Sequence, residues 1–84
     1  MTTPTFTYVE EYIEFIGGYR TETGKLLGMF STVPSPLSLA RYDVSIVDSL
    51  AAQTAEQNNP YTDKQAVLAV KLVDKYRKQL SKFN

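Results

Sequence analysis

The chain has 84 residues, of which 43% are hydrophobic and 21% charged, a composition typical of one small globular domain rather than of a disordered segment. It contains no Cys and no His, which excludes disulfides, thiolate nucleophiles, imidazole bases and the commonest zinc sites. The nine basic and nine acidic side chains cancel in net charge. This composition disfavours an enzyme, and we expect a binding protein without a small-molecule cofactor or a metal.

The sequence also disfavours a membrane partner. Its apolar runs, such as residues 66–70, are far shorter than the roughly 18–20 residues that a bilayer requires. The first residues, Met-Thr-Thr-Pro, have neither the positive charge nor the apolar core of a signal peptide. We therefore expect a cytoplasmic protein whose residues 1–84 form a single domain.

The first third of the chain permits two interpretations. In a helix, the apolar residues between Tyr8 and Ile16 would share one face and Glu10, Glu11 and Glu14 the other. The same stretch is rich in aromatic and β-branched residues, which favour strands. Because Gly17 and Gly18 interrupt it and a turn sequence, Thr-Glu-Thr-Gly, follows, we favour a β-hairpin within residues 5–30.

A first helix is predicted over residues 38–57. Val44, Val47 and Leu50 follow the helical period, and Asp43 is placed among the polar residues of the wetter face. The start of this helix stays open, because either Ser38 or Asp43 could cap it.

A second helix is predicted over residues 62–83. Thr62 and Gln65 form a capping-box pattern at its start. An apolar stripe follows, and it predicts that Val70 and Val73 are buried. The short Asn-Asn-Pro turn before it makes the two helices antiparallel neighbours packed along their apolar stripes. The predicted fold class is thus α+β, an N-terminal β-hairpin followed by an antiparallel two-helix hairpin.

Charge is distributed unevenly along the chain. Residues 1–59 carry a net charge of −4 and residues 60–84 a net charge of +4. A basic helix is typical of a surface for an acidic partner, first of all nucleic acid, although basic residues also suit the negative end of a helix dipole. We expect the lysines of the second helix to bind nucleic acid weakly and without sequence preference, and a tyrosine of that helix to stack on a base. These candidate nucleic-acid-binding residues are Lys71, Lys75, Tyr76, Lys78 and Lys82.

An acidic surface could instead contact another protein. Three glutamates lie close together in the first third of the chain, and a tyrosine follows them. Tyrosine suits protein interfaces because it offers both an apolar ring and a hydroxyl. The candidate residues are Glu10, Glu11, Glu14 and Tyr19, and the alternative is that the glutamates form only a solvated helix face.

Three segments carry a resemblance to a known family. They are Gly-Lys-Leu-Leu-Gly-Met-Phe at residues 24–30, Leu-Ala-Arg-Tyr-Asp at 39–43, and the stretch from Tyr61 through Leu80. Together they resemble the leader segment that precedes the motor in bacteriophage superfamily-two DNA helicases, over roughly residues 12–84. The resemblance implies a phage origin and a connection with DNA transactions. The chain has no phosphate loop and no Asp-Glu metal-binding motif, so ATPase activity is not implied.

Three functional hypotheses follow, of which the third is a small structural or assembly subunit. The first is a non-enzymatic phage-type module that is associated with DNA transactions and binds nucleic acid weakly through its basic C-terminal helix. The second is a stand-alone phage protein that binds and inhibits a host or defence protein complex.

Overall fold

A computed structural model describes residues 5–27 and 35–82. Within these residues the chain forms four helices: α1 (Val9–Ile16), α2 (Arg41–Ala55), α3 (Asp63–Lys75) and α4 (Arg77–Ser81). In this part of the chain, no helix is both long enough and apolar enough to cross a membrane.

The predicted β-hairpin, and with it the α+β class, is wrong. Residues 9–16 form α1, and residues 28–30 of the predicted hairpin lie outside the described residues. The described ranges contain no sheet, and their extended pairing is limited to one antiparallel bridge between Arg20 and Leu26. Two features stabilise a helix here rather than a strand. Ile13 and Ile16 are fully buried on one helix face. The Glu11 side chain accepts a hydrogen bond of 3.0 Å from the N–H of the N-cap residue Tyr8.

A tight turn connects the two bridge residues. The N–H of Thr21 donates to the carbonyl of Lys25 at 2.8 Å, and the N–H of Gly24 donates to the carbonyl of Thr21 at 2.9 Å. Gly24 has a φ of 92°, a region that glycine adopts without steric cost. The turn sequence was therefore located correctly, but it closes a single bridge rather than a hairpin of two strands.

The helix predicted over residues 38–57 spans Arg41–Ala55. Its N-cap residue is Ala40, so neither Ser38 nor Asp43 caps it with a side chain. Asp43, which was predicted on the wetter face, is buried. The carboxylate points inward because Lys75 and Tyr76, at the far end of α3, donate hydrogen bonds to it.

The helix predicted over residues 62–83 is two helices. Tyr76, with φ −100° and ψ 11°, departs from α-helical geometry and separates α3 from α4. Phe83 lies outside the described residues. The predicted capping box is confirmed: Thr62 Oγ1 accepts from the N–H of Gln65 at 3.2 Å, and Gln65 Oε1 accepts from the N–H of Thr62 at 3.0 Å.

Helix α1 occupies the centre of the packing. Gln53, late in α2, exchanges hydrogen bonds with Gln65, early in α3, while Asp43, early in α2, meets Tyr76 at the end of α3. These two pairs show that α2 and α3 are antiparallel. The predicted packing of one along the other needs correction, however, because α1 contacts each of them more extensively than they contact each other.

The buried face of α3 differs from the predicted stripe. Ala69, Leu72 and Tyr76 are buried, Val73 is half-buried, and Val70 is 56% exposed. The prediction that Val70 is buried is therefore wrong. The reason is that α3 turns its Ala69–Leu72–Tyr76 side toward the rest of the domain, and Val70 lies on the other side of the helix.

Candidate nucleic-acid interface

The acidic side chains of α1 are largely used inside the domain. Glu14 is only 4% exposed, and its Oε1 accepts from Arg20 Nη2 at 2.7 Å and Nε at 3.0 Å. Its Oε2 accepts from the Thr54 hydroxyl at 2.7 Å. Arg20 also donates to the carbonyl of Gly24, so one ion pair ties α1 to α2 and to the turn. The expectation that Glu14 belongs to a solvated or partner-binding face is therefore corrected.

The other residues of the predicted acidic surface do not assemble around Glu14 as an exposed patch. Tyr19 is buried, and its hydroxyl donates to Asp48 Oδ1 at 3.0 Å. Burial first, and then the hydrogen bond to Asp48, raises the pKa of Tyr19 to about 12. Glu11 lies 4.0 Å from the Arg20 guanidinium, and Glu10 lines a small cavity between α1 and the turn after α2. Glu10 and Glu11 are both half-buried.

Asp43 is the second internal acid. Its Oδ2 accepts from Lys75 Nζ at 2.7 Å and from the Tyr76 hydroxyl at 2.6 Å. The hydrogen bond from Lys75, followed by the one from Tyr76, lowers the pKa of Asp43 despite its burial. The ionised carboxylate thus joins the start of α2 to the end of α3.

These contacts change the roles expected of Tyr76 and Lys75. Tyr76 is only 5% exposed, and its hydroxyl also accepts from the backbone N–H of Ala40 at 2.7 Å, so the ring is not available for base stacking. Lys75 is exposed, but its ammonium group is held by Asp43 and by the Tyr42 hydroxyl at 3.0 Å. The hydrogen bond to Asp43 raises the pKa of Lys75. Its charge is therefore largely compensated.

Four lysines of α3 and the segment after it stay exposed. No carboxylate of the described ranges lies within 4.0 Å of any of their ammonium groups. The only ion pair on the outer side of these two helices joins Arg77 to Asp74 at 3.8 Å, among the residues described. We call this set the lysine face: Lys64, Lys71, Lys78 and Lys82.

Tyr42 was missed by the sequence reasoning. It is 72% exposed at the start of α2, and the Lys75 ammonium lies 4.4 Å from the centroid of its ring. The sequence contained one indication of this role. Tyr42 follows Arg41 and does not fall on the helical repeat of the apolar residues of α2, so it lies outside the buried face of that helix. The structure thus supplies an exposed aromatic ring beside the basic helix, although it is not the one that the sequence suggested.

The comparisons with known proteins add no family. No family model matches the chain, and neither a curated protein nor a solved structure is significantly similar to it. The resemblance to the helicase leader segment therefore stays a prediction. In the described part of the chain, no three His, Cys, Asp or Glu side chains are grouped so that they could hold a metal ion.

Proposed function

We propose that this protein is a non-enzymatic module that binds nucleic acid weakly and without sequence preference through the lysine face. The observation that supports this proposal is the separation of charge in the folded domain. Glu14 is paired inside with Arg20 and Asp43 with Lys75, whereas the four lysines of the lysine face are exposed and have no carboxylate partner among the described residues. The resemblance to a phage helicase leader segment supports a role in DNA transactions.

The spacing of the lysines suits a phosphate backbone. Lys64 and Lys71 lie seven residues apart on one side of α3, which corresponds to about 10 Å along the helix. Phosphates of one DNA strand follow each other at roughly 3.4 Å along the axis, so these two lysines would span about three phosphates. Lys78 and Lys82 follow the break at Tyr76 and are also exposed, so they could supply further phosphate contacts. Such contacts read no base edges, which is why we expect no sequence preference.

The proposal is tested by fluorescence anisotropy with a labelled oligonucleotide at about 50 mM salt, where non-specific complexes are measurable. The Lys71→Glu/Lys78→Glu double variant should bind at least about tenfold more weakly than the parent, because two phosphate contacts become repulsive. Both side chains are exposed, so the fold should be retained.

A matched pair of single variants separates the lysine face from net charge. Lys71→Glu and Lys25→Glu change the total charge equally, but Lys25 lies in the exposed turn after α1. Lys71→Glu should weaken binding and Lys25→Glu should change it little. Equal losses would show that overall charge, rather than this surface, attracts the oligonucleotide. Absence of binding by the parent protein would contradict the proposal.

A protein partner is the second candidate function, because Val67 and Val70 are more than half exposed on the outer side of α3. Exposed apolar side chains next to charged ones are common in protein interfaces. The partner would then be a host or phage protein complex that this chain inhibits. Capture of one defined protein from host lysate, undiminished by nuclease and lost in Val67→Asp/Val70→Asp, would favour this function over nucleic-acid binding.

A further inference from the structure

We propose that Tyr42 is a base-stacking platform and that the protein therefore binds single-stranded nucleic acid in preference to duplex. This inference rests on the proposed function and deepens it. It starts from an unusual placement: a tyrosine that is 72% exposed stands directly against a lysine of the basic helix α3.

Among the described residues, Lys75 holds the Tyr42 ring in place. Lys75 Nζ lies 4.4 Å from the ring centroid and 3.0 Å from the hydroxyl, and Asp43 holds the same ammonium at 2.7 Å. Because Tyr42 is 72% exposed, most of the side chain stays accessible to solvent despite this contact. A ring that is already positioned loses little conformational freedom when a base stacks on it, which favours binding.

The surroundings of Tyr42 supply the charge that a nucleic-acid strand needs. Lys71 precedes Lys75 by one helical turn, so a lysine of the lysine face lies one turn of α3 away from the lysine that contacts the ring. Phosphates could contact the lysine face while a neighbouring base stacks on Tyr42. In a duplex the bases are stacked on one another and paired, and they cannot reach the ring without unstacking.

Tyr8 provides an internal comparison. It is 64% exposed, nearly as much as Tyr42, but it is the N-cap residue of α1, and Glu10 and Glu11 lie in the first turn of that helix. Carboxylates beside the ring would repel the phosphates of an approaching strand. Exposure alone is thus shared by the two tyrosines, whereas the neighbouring basic surface distinguishes Tyr42.

The chain contains no tryptophan, which makes a direct spectroscopic test possible. Tyr42→Trp places a single indole at the proposed platform, and Tyr8→Trp places one at the control site. Oligothymidine should quench the fluorescence of Tyr42→Trp through stacking, while a duplex of equal length should quench it little. Neither nucleic acid should quench Tyr8→Trp.

Affinities provide the second readout. Tyr42→Ala should bind oligothymidine about 5- to 150-fold more weakly, the range expected when one stacked base is lost, and should bind duplex as the parent does. Tyr42→Phe should retain most of the affinity, because it keeps the ring. Equal parent affinities for oligothymidine and duplex, no quenching of Tyr42→Trp, or equal losses for both nucleic acids in Tyr42→Ala would each overturn the stacking role. The proposed function is judged by different results. Weaker binding of either nucleic acid by Lys71→Glu/Lys78→Glu would still support it, and it is contradicted if the parent protein binds neither nucleic acid.

Discussion

The Tyr76 hydroxyl donates a hydrogen bond of 2.6 Å to the buried Asp43 carboxylate, across 33 positions of sequence. The same hydroxyl accepts from the backbone N–H of Ala40 at 2.7 Å. One side chain thereby joins the break between α3 and α4 to the first turn of α2. Because α2 has no side-chain cap, Tyr76 also provides an acceptor for an N–H group at this helix start.

Removing this hydroxyl should destabilise the domain. Tyr76→Phe leaves the Ala40 N–H without its acceptor and removes a hydrogen bond to a charged group, which together cost about 1.5–3 kcal/mol. Urea unfolding measures the change in free energy. Tyr42→Phe is the matched control, because it removes the hydroxyl of an exposed tyrosine and should change stability by less than about 0.5 kcal/mol. Equal unfolding midpoints for the two variants would contradict the assigned role.

Acid should weaken the same contact. The hydrogen bonds from Lys75 and Tyr76 lower the pKa of Asp43 in the folded protein below its unfolded value of about 3.9. A lowered folded pKa means that the stabilisation is present above about pH 4 and is lost as the pH falls through the folded pKa. The free energy of unfolding should therefore decrease on acidification below about pH 4.

Asp43→Asn isolates this contribution, because the other carboxylates are common to both proteins. Parent and variant should differ most in free energy of unfolding near neutral pH, and the difference should shrink as the solution is acidified. A difference that is constant from about pH 7 to about pH 3 would show that the charge of Asp43 does not stabilise the fold.

The corrected orientation of α3 can be tested with two charge insertions. Val70→Asp places a carboxylate on the exposed side and should cost less than about 1 kcal/mol. Leu72→Asp buries an unpaired charge in the hydrophobic core and should cost more than about 3 kcal/mol or prevent folding. Thermal or urea unfolding distinguishes them, and a larger loss in Val70→Asp would restore the orientation expected from the sequence.

A close approach between α1 and α2 gives a further prediction. A Cβ atom at Gly17 would lie 2.8 Å from the Cβ of Ala51, which is fully buried. Gly17→Ala should therefore destabilise the protein by about 1–3 kcal/mol through overpacking. Ala51→Gly removes the clashing atom, so the double variant should lose less stability than the sum of the two single changes. Strict additivity would show that the two positions do not touch.

Local signals in the sequence were sufficient for the start of α3. Its capping box is contained within four residues, and it located the N-cap of the helix at Thr62. Residues 8–16 were different, since their aromatic and β-branched side chains suit a strand as well as a helix. What decides between the two is burial against α2 and α3, which a local pattern does not contain.

Only the residue types of the candidate site could be predicted from the sequence. The sequence identified the basic residues of the last third of the chain, but it did not show which of their charges are balanced by a nearby carboxylate. Asp43 pairs with Lys75 across 32 positions, so the charge of Lys75 is compensated. Asp43 also accepts a hydrogen bond from Tyr76, whose side chain is buried. Likewise, nothing in the helical period shows that Arg20 draws Glu14 inward. These assignments depend on tertiary contacts between polar groups, for which hydrophobic periodicity carries no signal.

The salt dependence of oligothymidine binding tests the central claim most directly. If three or four lysines of the lysine face contact phosphates, the logarithm of the association constant should fall with the logarithm of salt concentration with a slope of roughly −2 to −3. In Lys71→Glu/Lys78→Glu the slope should become shallower by about 1.4, because two contacts are lost. A parent slope near zero, or the same slope in the parent and the double variant, would contradict nucleic-acid binding by this surface.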